Sequence, residues 1–201
     1  MAINLFLVHI DEFSINKIES SSYITSIDKE NLKQYHHPLT YQQKLVSAYL
    51  KNRYISSYFV NEFGKPLSLQ SSFNISHSGN YVILIVNDGK ESVGVDIEKI
   101  RDIKKDFSSF VCNEEEKSYI KNDKDFFAIW TNKESLLKCI GTGINKKLNE
   151  VNGLPLNDKR IYEDKDFYSR TMDYEDYVIS ITRDDKPIEE IKIIENKEIF
   201  A

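Results

Sequence analysis

Two opposite charges stand inside an otherwise apolar stretch, Phe126 to Ile144 (FFAIWTNKESLLKCIGTGI), and their spacing is the first sign of chemistry. Glu134 and Lys138 are one helical turn apart and Trp130 lies a turn further back, so in a helix all three project from nearly one face. Ile129, Leu136, Leu137 and Ile140 supply apolar surface for burial, and Gly141 and Gly143 end the helix. Upstream, Val93, Val95 and Ile97 alternate with Gly94, Asp96 and Glu98. A strand from Ser92 to Ile100 would therefore bury the aliphatics and present both carboxylates on its other face. Asp96, Glu98 and Glu134 make a carboxylate set suited to a hard divalent cation such as Mg²⁺, which takes oxygen ligands and retains waters and substrate phosphates. His77, between Ser76 and Ser78, and the turn Gly64-Lys65-Pro66 add a titratable ring and a cation. Taken singly, each piece also has an ordinary structural reading: a wet i,i+4 pair, a solvated strand face, a satisfied histidine, a plain turn.

The elements that must position these residues follow from periodicity. Ile3 to Ile10 suits a strand. Thr25-Ser26-Ile27-Asp28 has the hydroxyl and carboxylate of a helix start, and a helical stretch runs to about Tyr35. Pro38 interrupts it, and Leu45, Ala48, Tyr49, Ile55 and Phe59 predict a longer amphipathic helix over Tyr41 to Phe59. Phe73 to Ser78 and Tyr81 to Val86 read as strands joined near Gly79-Asn80, and Asn87-Asp88-Gly89-Lys90 is a turn leading into the carboxylate strand. Helical segments follow from about Phe107 to Ile140, with a loop expected at Asn122-Asp123-Lys124-Asp125. The tail returns to strands at Tyr177 to Thr182 and Ile188 to Ile194, completing the second half. Strand, helices, strands thus occur twice, with the halves meeting near residue 90.

The 201 residues, 40% hydrophobic and 12% aromatic, can fill a core. A net charge of −5, with no Lys/Arg stripe, argues against a general nucleic-acid binder. The opening apolar run is short, lacks a basic leader and is followed by Asp11 and Glu12, so neither a signal peptide nor a membrane span is expected. Cys112 and Cys139 have no metal-ligand spacing and read as reduced thiols of a cytoplasmic protein.

In order and spacing, Gly64-Lys65-Pro66, Phe73-Asn74-Ile75-Ser76-His77-Ser78, Gly94-Val95-Asp96-Ile97-Glu98 and Trp130 to Lys138 with Gly141-Thr142-Gly143-Ile144 resemble the 4′-phosphopantetheinyl transferases, specifically the monomeric surfactin-synthetase-activating (Sfp-type) family. The resemblance covers roughly residues 1 to 150 and is strongest from 64 to 144. It implies an α+β fold of two similar lobes related by a pseudo-twofold axis, 1–90 and 91–201, with the active site in the cleft between them. The implied reaction moves the phosphopantetheine arm of coenzyme A onto a serine of an apo acyl or peptidyl carrier protein and releases adenosine 3′,5′-bisphosphate. By the same resemblance Asp96, Glu98 and Glu134 hold Mg²⁺, Lys138 offsets phosphate charge, and either Glu134 or a metal-bound hydroxide takes the serine proton. Ser76 and His77 contact phosphates, Lys65 and Pro66 flank the nucleotide end, Lys133 supports the metal-site helix or the phosphates, and Glu115 is an outer participant. Where the family places basic residues in its N-terminal helices this chain has Asp28, Asn31 and Gln43, with Lys29, Lys33 and Lys44 adjacent. One position along a helix turns a side chain by about 100°, so a neighbouring lysine is not an automatic replacement. The carrier is expected to dock between Phe107 and Phe126, where Phe107, Phe110, Tyr119 and Ile120 are apolar and Lys117, Lys121 and Lys124 could meet an acidic helix. The alternatives are a non-catalytic coenzyme A or carrier-binding module of the same fold and a different Mg²⁺-dependent phosphoester enzyme.

Overall fold

The segment YVILIVN, Tyr81–Asn87, shows how the chain is layered, because all seven residues are buried. Val82, Leu84 and Val86 join one apolar cluster, and Tyr81, Ile83 and Ile85 join another. Both faces of the strand are covered, so it lacks the alternation of a half-exposed strand.

The computed structural model describes residues 3–12, 14–62, 65–103, 107–141 and 148–200. In chain order the elements are β1 (Ile3–His9), α1 (Ile15–Glu19), α2 (Ser26–Leu32), α3 (Pro38–Tyr54), β2 (Phe59–Val60), β3 (Pro66–Leu67), β4 (Ser72–Ser78), β5 (Tyr81–Asn87), β6 (Val93–Lys99), α4 (Phe107–Val111), α5 (Glu114–Tyr119), α6 (Asp123–Ile140), β7 (Lys159–Tyr162), β8 (Lys165–Tyr174), β9 (Tyr177–Asp184), β10 (Ile191–Glu195) and α7 (Asn196–Ile199). Gly64 and Thr142-Gly143-Ile144, both parts of the sequence motifs, lie outside the described residues, as does the side chain of Phe107.

One sheet has the strand order β10-β1-β5-β4, a second β6-β9-β8-β7, and β2 pairs only with β3. The two larger sheets meet through Ile3, Leu5, Leu7, Ile83 and Ile85 on one side and Val93, Val95, Ile97, Ile179 and Ile181 on the other. α3 covers the outer face of the first sheet, packing Leu45, Val46, Tyr49 and Leu50 with Phe6, Val8, Val82 and Leu84. α6 covers the outer face of the second. There Thr131 and Ser135 meet Ser180 and Thr182 of β9, hydroxyl to hydroxyl, at 2.7 Å each. The architecture is mixed α/β, layered helix, sheet, sheet, helix.

Several boundaries differ from the sequence reading for identifiable reasons. α3 starts at Pro38 instead of being interrupted there, since proline's missing N–H and fixed φ suit the first helical position. It ends at Tyr54, and Phe59 belongs to the β2–β3 hairpin. The expected loop at Asn122 to Asp125 is a helix start: the Asn122 side chain accepts from Asp125 N at 3.0 Å, and Asp123 and Asp125 sit in the favourable first turn. The tail divides. β9 lies in the second sheet, whereas β10 runs parallel to β1, with Ile3 opposite Ile191, and so belongs to the first. The last strand of the chain thus lies beside the first.

Candidate active site

β4 and β6 are edge strands of different sheets, and side chains join them. Val93 N donates to Ser72 Oγ at 3.0 Å, Val95 N to Asn74 Oδ1 at 3.1 Å and Lys99 N to Ser78 Oγ at 3.1 Å. Alternate polar residues of β4 thus satisfy backbone donors that an edge strand leaves open. Within this seam Ser76 Oγ donates to Asp96 Oδ1 at 2.8 Å and Ser78 Oγ to Glu98 Oε2 at 2.8 Å. On the face of β6 that carries Asp96, Gly94 admits α6: a Cβ there would lie 2.0 Å from Ser135 O and 2.3 Å from Cys139 N. That approach sets Glu134 and Lys138, which flank Ser135 and Cys139 in sequence, beside Asp96. Lys138 Nζ lies 2.6 Å from Asp96 Oδ1 and 2.9 Å from Ser76 Oγ.

These groups open into a cleft of about 390 Å³ lined by Lys44, Ser47 and Lys51 of α3, Ile75, Ser76 and His77 of β4, Asp96 and Glu98 of β6, and Trp130, Glu134 and Lys138 of α6. One wall is basic. Lys44 Nζ lies 3.1 Å from His77 Nε2; with the ammonium as donor, the ring is neutral and protonated on Nδ1. Burial, then Lys44 and Lys138, pushes the His77 pKa down to about 4. Burial also lowers the pKa of Lys44, with Lys138 adding repulsion, and that of Lys51. Crowded, partly dehydrated cations of this kind favour an anion among them.

The other wall is acidic. Burial, then the Asp96 carboxylate, pushes the Glu134 pKa up to about 7, with Lys138 opposing and Glu98 adding to the rise. Asp96 Oδ2 and Glu134 Oε1 are buried without a hydrogen-bond partner among the described residues. Glu98 differs, since its Oε2 already accepts from Ser78 and from Arg101 Nη1 at 3.1 Å. Among the described residues no three His, Cys, Asp or Glu side chains converge closely enough to hold a metal by themselves. The expected three-carboxylate set therefore reduces here to two open oxygens with Glu98 beside them. Two carboxylates completed by waters and substrate phosphates are a usual Mg²⁺ arrangement, so the donor set fits.

Residues 92–182, which span β6, α6 and β9, match the family model described as the 4'-phosphopantetheinyl transferase superfamily. This segment is similar to that superfamily. Three curated relatives agree with the Sfp-type resemblance of the motifs. The chain is 34% identical over 96 residues to 4'-phosphopantetheinyl transferase gsp of Aneurinibacillus migulanus (44% of this chain, 40% of that protein). It is 28% identical over 147 residues to 4'-phosphopantetheinyl transferase Sfp of Bacillus subtilis strain 168 (64% and 65%). It is 35% identical over 114 residues to a putative 4'-phosphopantetheinyl transferase of Haemophilus influenzae (51% and 47%). The chain thus spans 40% to 65% of the length of these relatives.

Of the residues expected from the transferase motifs, the cleft gathers Ser76, His77, Asp96, Glu98, Glu134 and Lys138. Others lie elsewhere. Lys133 is fully buried, with Nζ 2.5 Å from Glu116 Oε2 and donating to Val111 O at 2.6 Å and Leu148 O at 3.0 Å, so it cannot reach a phosphate in the cleft. Facing the opposite side of α6 from Lys138, it ties α4, α5 and the chain near Leu148 to that helix. Glu115 is exposed on α5, and its neighbour Glu116 is the residue the fold uses. Lys65 Nζ donates to Cys139 O at 2.9 Å and its side chain lines a different cleft, while Pro66 pairs with Val60 in the hairpin. Asp28 is spent on the α2 capping box and on Asn52 Nδ2, Gln43 donates to Gly79 O at 2.8 Å, and Asn31 and Lys29 are exposed. Lys33 pairs with Glu30 at 2.5 Å. Of the three adjacent lysines only Lys44 faces the cleft, and the sequence reading missed Lys51. The signal was there: Lys44 and Lys51 are seven residues apart, two turns, on one helix face.

Proposed function

We propose that the chain is a 4′-phosphopantetheinyl transferase that uses coenzyme A and an apo carrier protein, and that the cleft between α3/β4 and β6/α6 is its active site, the junction of two pseudo-twofold-related lobes. The observation that carries this reading is the polarity of the cleft, with lysines and a neutral histidine on one wall and two unpartnered carboxylate oxygens on the other. A pyrophosphate with a divalent cation satisfies both walls at once. The names of the relatives and the match over residues 92–182 support the same activity.

In the reaction the serine hydroxyl oxygen of the carrier forms a bond to the phosphorus that bears the pantetheine arm. The P–O bond to the adenosine half breaks, and adenosine 3′,5′-bisphosphate leaves with the electron pair. Asp96 and Glu134, with Glu98 alongside, would hold Mg²⁺, which would supply neutralisation of the pyrophosphate charge. Glu134, which burial and Asp96 push up to about 7 in the metal-free cleft, or a water held beside it would accept the serine proton. Lys138 is anchored on Asp96 and Ser76 and faces the charge that develops on the phosphate oxygens. Lys44, Lys51 and the Nδ1–H of His77 bind the remaining phosphates of coenzyme A, replacing the basic residues that Asp28, Asn31 and Gln43 do not supply. The carrier docks along α4–α5, where Phe110 is 72% and Tyr119 43% exposed. The lysines there are already engaged, Lys117 with Glu114, Lys124 with Asp173 and Lys121 with Ser118 O, so apolar contacts would lead that docking.

The test is chromatography of nucleotide products from coenzyme A and Mg²⁺ with and without apo carrier. Adenosine 3′,5′-bisphosphate is expected only with carrier, and Lys44→Ala or Lys51→Ala should raise the KM for coenzyme A about tenfold each, the scale of a charge-assisted hydrogen bond. Release of pantetheine phosphate at the same rate without carrier would contradict the proposal and identify a pyrophosphatase.

A further inference from the structure

We propose that the β2–β3 hairpin braces the C-terminal end of α6 and that Lys65 is a positioning residue acting through Lys138; the kinetic part of this inference rests on the transferase reading above. The last carbonyls of a helix have no partner within it. Here the hairpin segment takes one of them and the carbonyl of the capping glycine. Lys65 Nζ donates to Cys139 O at 2.9 Å, across 74 residues of sequence, and Asn61 Nδ2 donates to Gly141 O at 3.3 Å. Asn61 and Lys65 are locked to each other, because Lys65 N donates to Asn61 Oδ1 at 2.8 Å and Asn61 N to Lys65 O at 2.9 Å. The lysine stem lies on Gly141, where φ is +84° and a Cβ would come within 2.7 Å of Lys65 Cδ. Glycine suits the backbone conformation there, and a Cβ would push the lysine stem aside. A cation against the negative end of α6 is also electrostatically favourable.

The hairpin is otherwise lightly held. It has two residue pairs, and among its described residues Phe59 and Val60 are 53% and 59% exposed. Its contact with α6 lies one residue beyond Lys138, whose ammonium must stay within 2.6 Å of Asp96 and 2.9 Å of Ser76. Fraying of the last turn would carry Lys138 away from both. The brace comes from the chain just ahead of β4, which supplies Ser76 and His77, so one segment sets both the phosphate strand and the end of the catalytic helix.

A brace and a direct nucleotide contact at Lys65 predict different kinetics. The experiment compares the wild-type chain with Lys65→Met and Lys65→Arg by amide hydrogen exchange of residues 137–141 and by steady-state transfer to an apo carrier. Lys65→Met should exchange the Cys139 to Gly141 amides about tenfold faster and lose about tenfold in kcat, with KM for coenzyme A within about twofold. Lys65→Arg, which keeps the cation and its donors, should restore most of both. Unchanged exchange in Lys65→Met, or a rise in KM for coenzyme A at constant kcat, would overturn the proposal. Exchange is read on the protein whether or not it turns over. A wild-type chain that transfers nothing would remove the transferase reading and leave the exchange result to decide the brace.

Discussion

Glu134 and His77 face one cleft and are shifted in opposite senses. The Glu134 carboxyl, ordinarily near 4.5, is raised to about 7 by burial and Asp96. Without metal the folded state therefore holds this proton more tightly than the unfolded state, and the associated stability is full below pH 4.5 and lost as pH rises through 7. His77, ordinarily near 6.5, is lowered to about 4 by burial and the neighbouring lysines. Between pH 4 and 6.5 the unfolded chain binds more protons, so the stability of this site is lost as pH falls through that window. Metal-free Glu134→Gln should thus lose less stability than wild type between pH 5 and 8, by on the order of 2–3 kcal/mol. His77→Asn should flatten the slope between pH 6.5 and 4. Denaturant melts across pH 4 to 8 check both, and profiles parallel to wild type would refute the assignments. At this scale the sequence was readable where residue type sufficed: Asp96, Glu134, Lys138 and His77 stand in the cleft. It was not readable for Lys133 and Lys65, because a lysine's direction depends on which helix face or hairpin is packed against what.

Among the elements, α6 carries Trp130, Glu134 and Lys138 of the cleft and is held from both sides. On one side Gly94 lets β6 approach its backbone. On the other the buried pair Lys133–Glu116, with Glu116 also accepting from Asn113 N at 2.8 Å and Gly153 N at 2.6 Å, ties down α5 and the segment after Leu148. Removing one partner of such a pair strands a buried charge. Lys133→Met should cost about 3–5 kcal/mol, and Lys133→Met with Glu116→Gln should recover much of it. Urea unfolding of the two variants tests this, and a double variant no more stable than the single one would contradict it. The core face of α6 at Ile129, Leu136 and Leu137 was visible as apolar spacing. Its buried Thr131, Asn132 and Ser135 were not, since they pack on hydroxyls of Thr171, Ser180 and Thr182. The same polar interface explains why β8, KDFYSRTMDY, carries no clear strand pattern.

For the whole molecule, the decisive feature is the seam in which Ser72, Asn74, Ser76 and Ser78 of β4 bind β6. It brings the strand that carries Ser76 and His77 against the carboxylate strand of the other sheet, and alternation in β6 let the sequence place its carboxylates on one face, which is buried in the seam at Asp96. The return of β10 to β1 was beyond such reading, because strand pairing over nearly the whole chain length leaves no local pattern. The proposed activity is transfer of an intact phosphopantetheine arm at this junction. Its most direct test is intact mass spectrometry of apo acyl and peptidyl carrier proteins incubated with the chain, coenzyme A and Mg²⁺, beside Asp96→Ala and a carrier whose acceptor serine is alanine. A gain of one arm's mass is expected on a wild-type carrier, absent from the serine-free carrier and lost with Asp96→Ala. No gain on any carrier, or the same gain with Asp96→Ala, would contradict it.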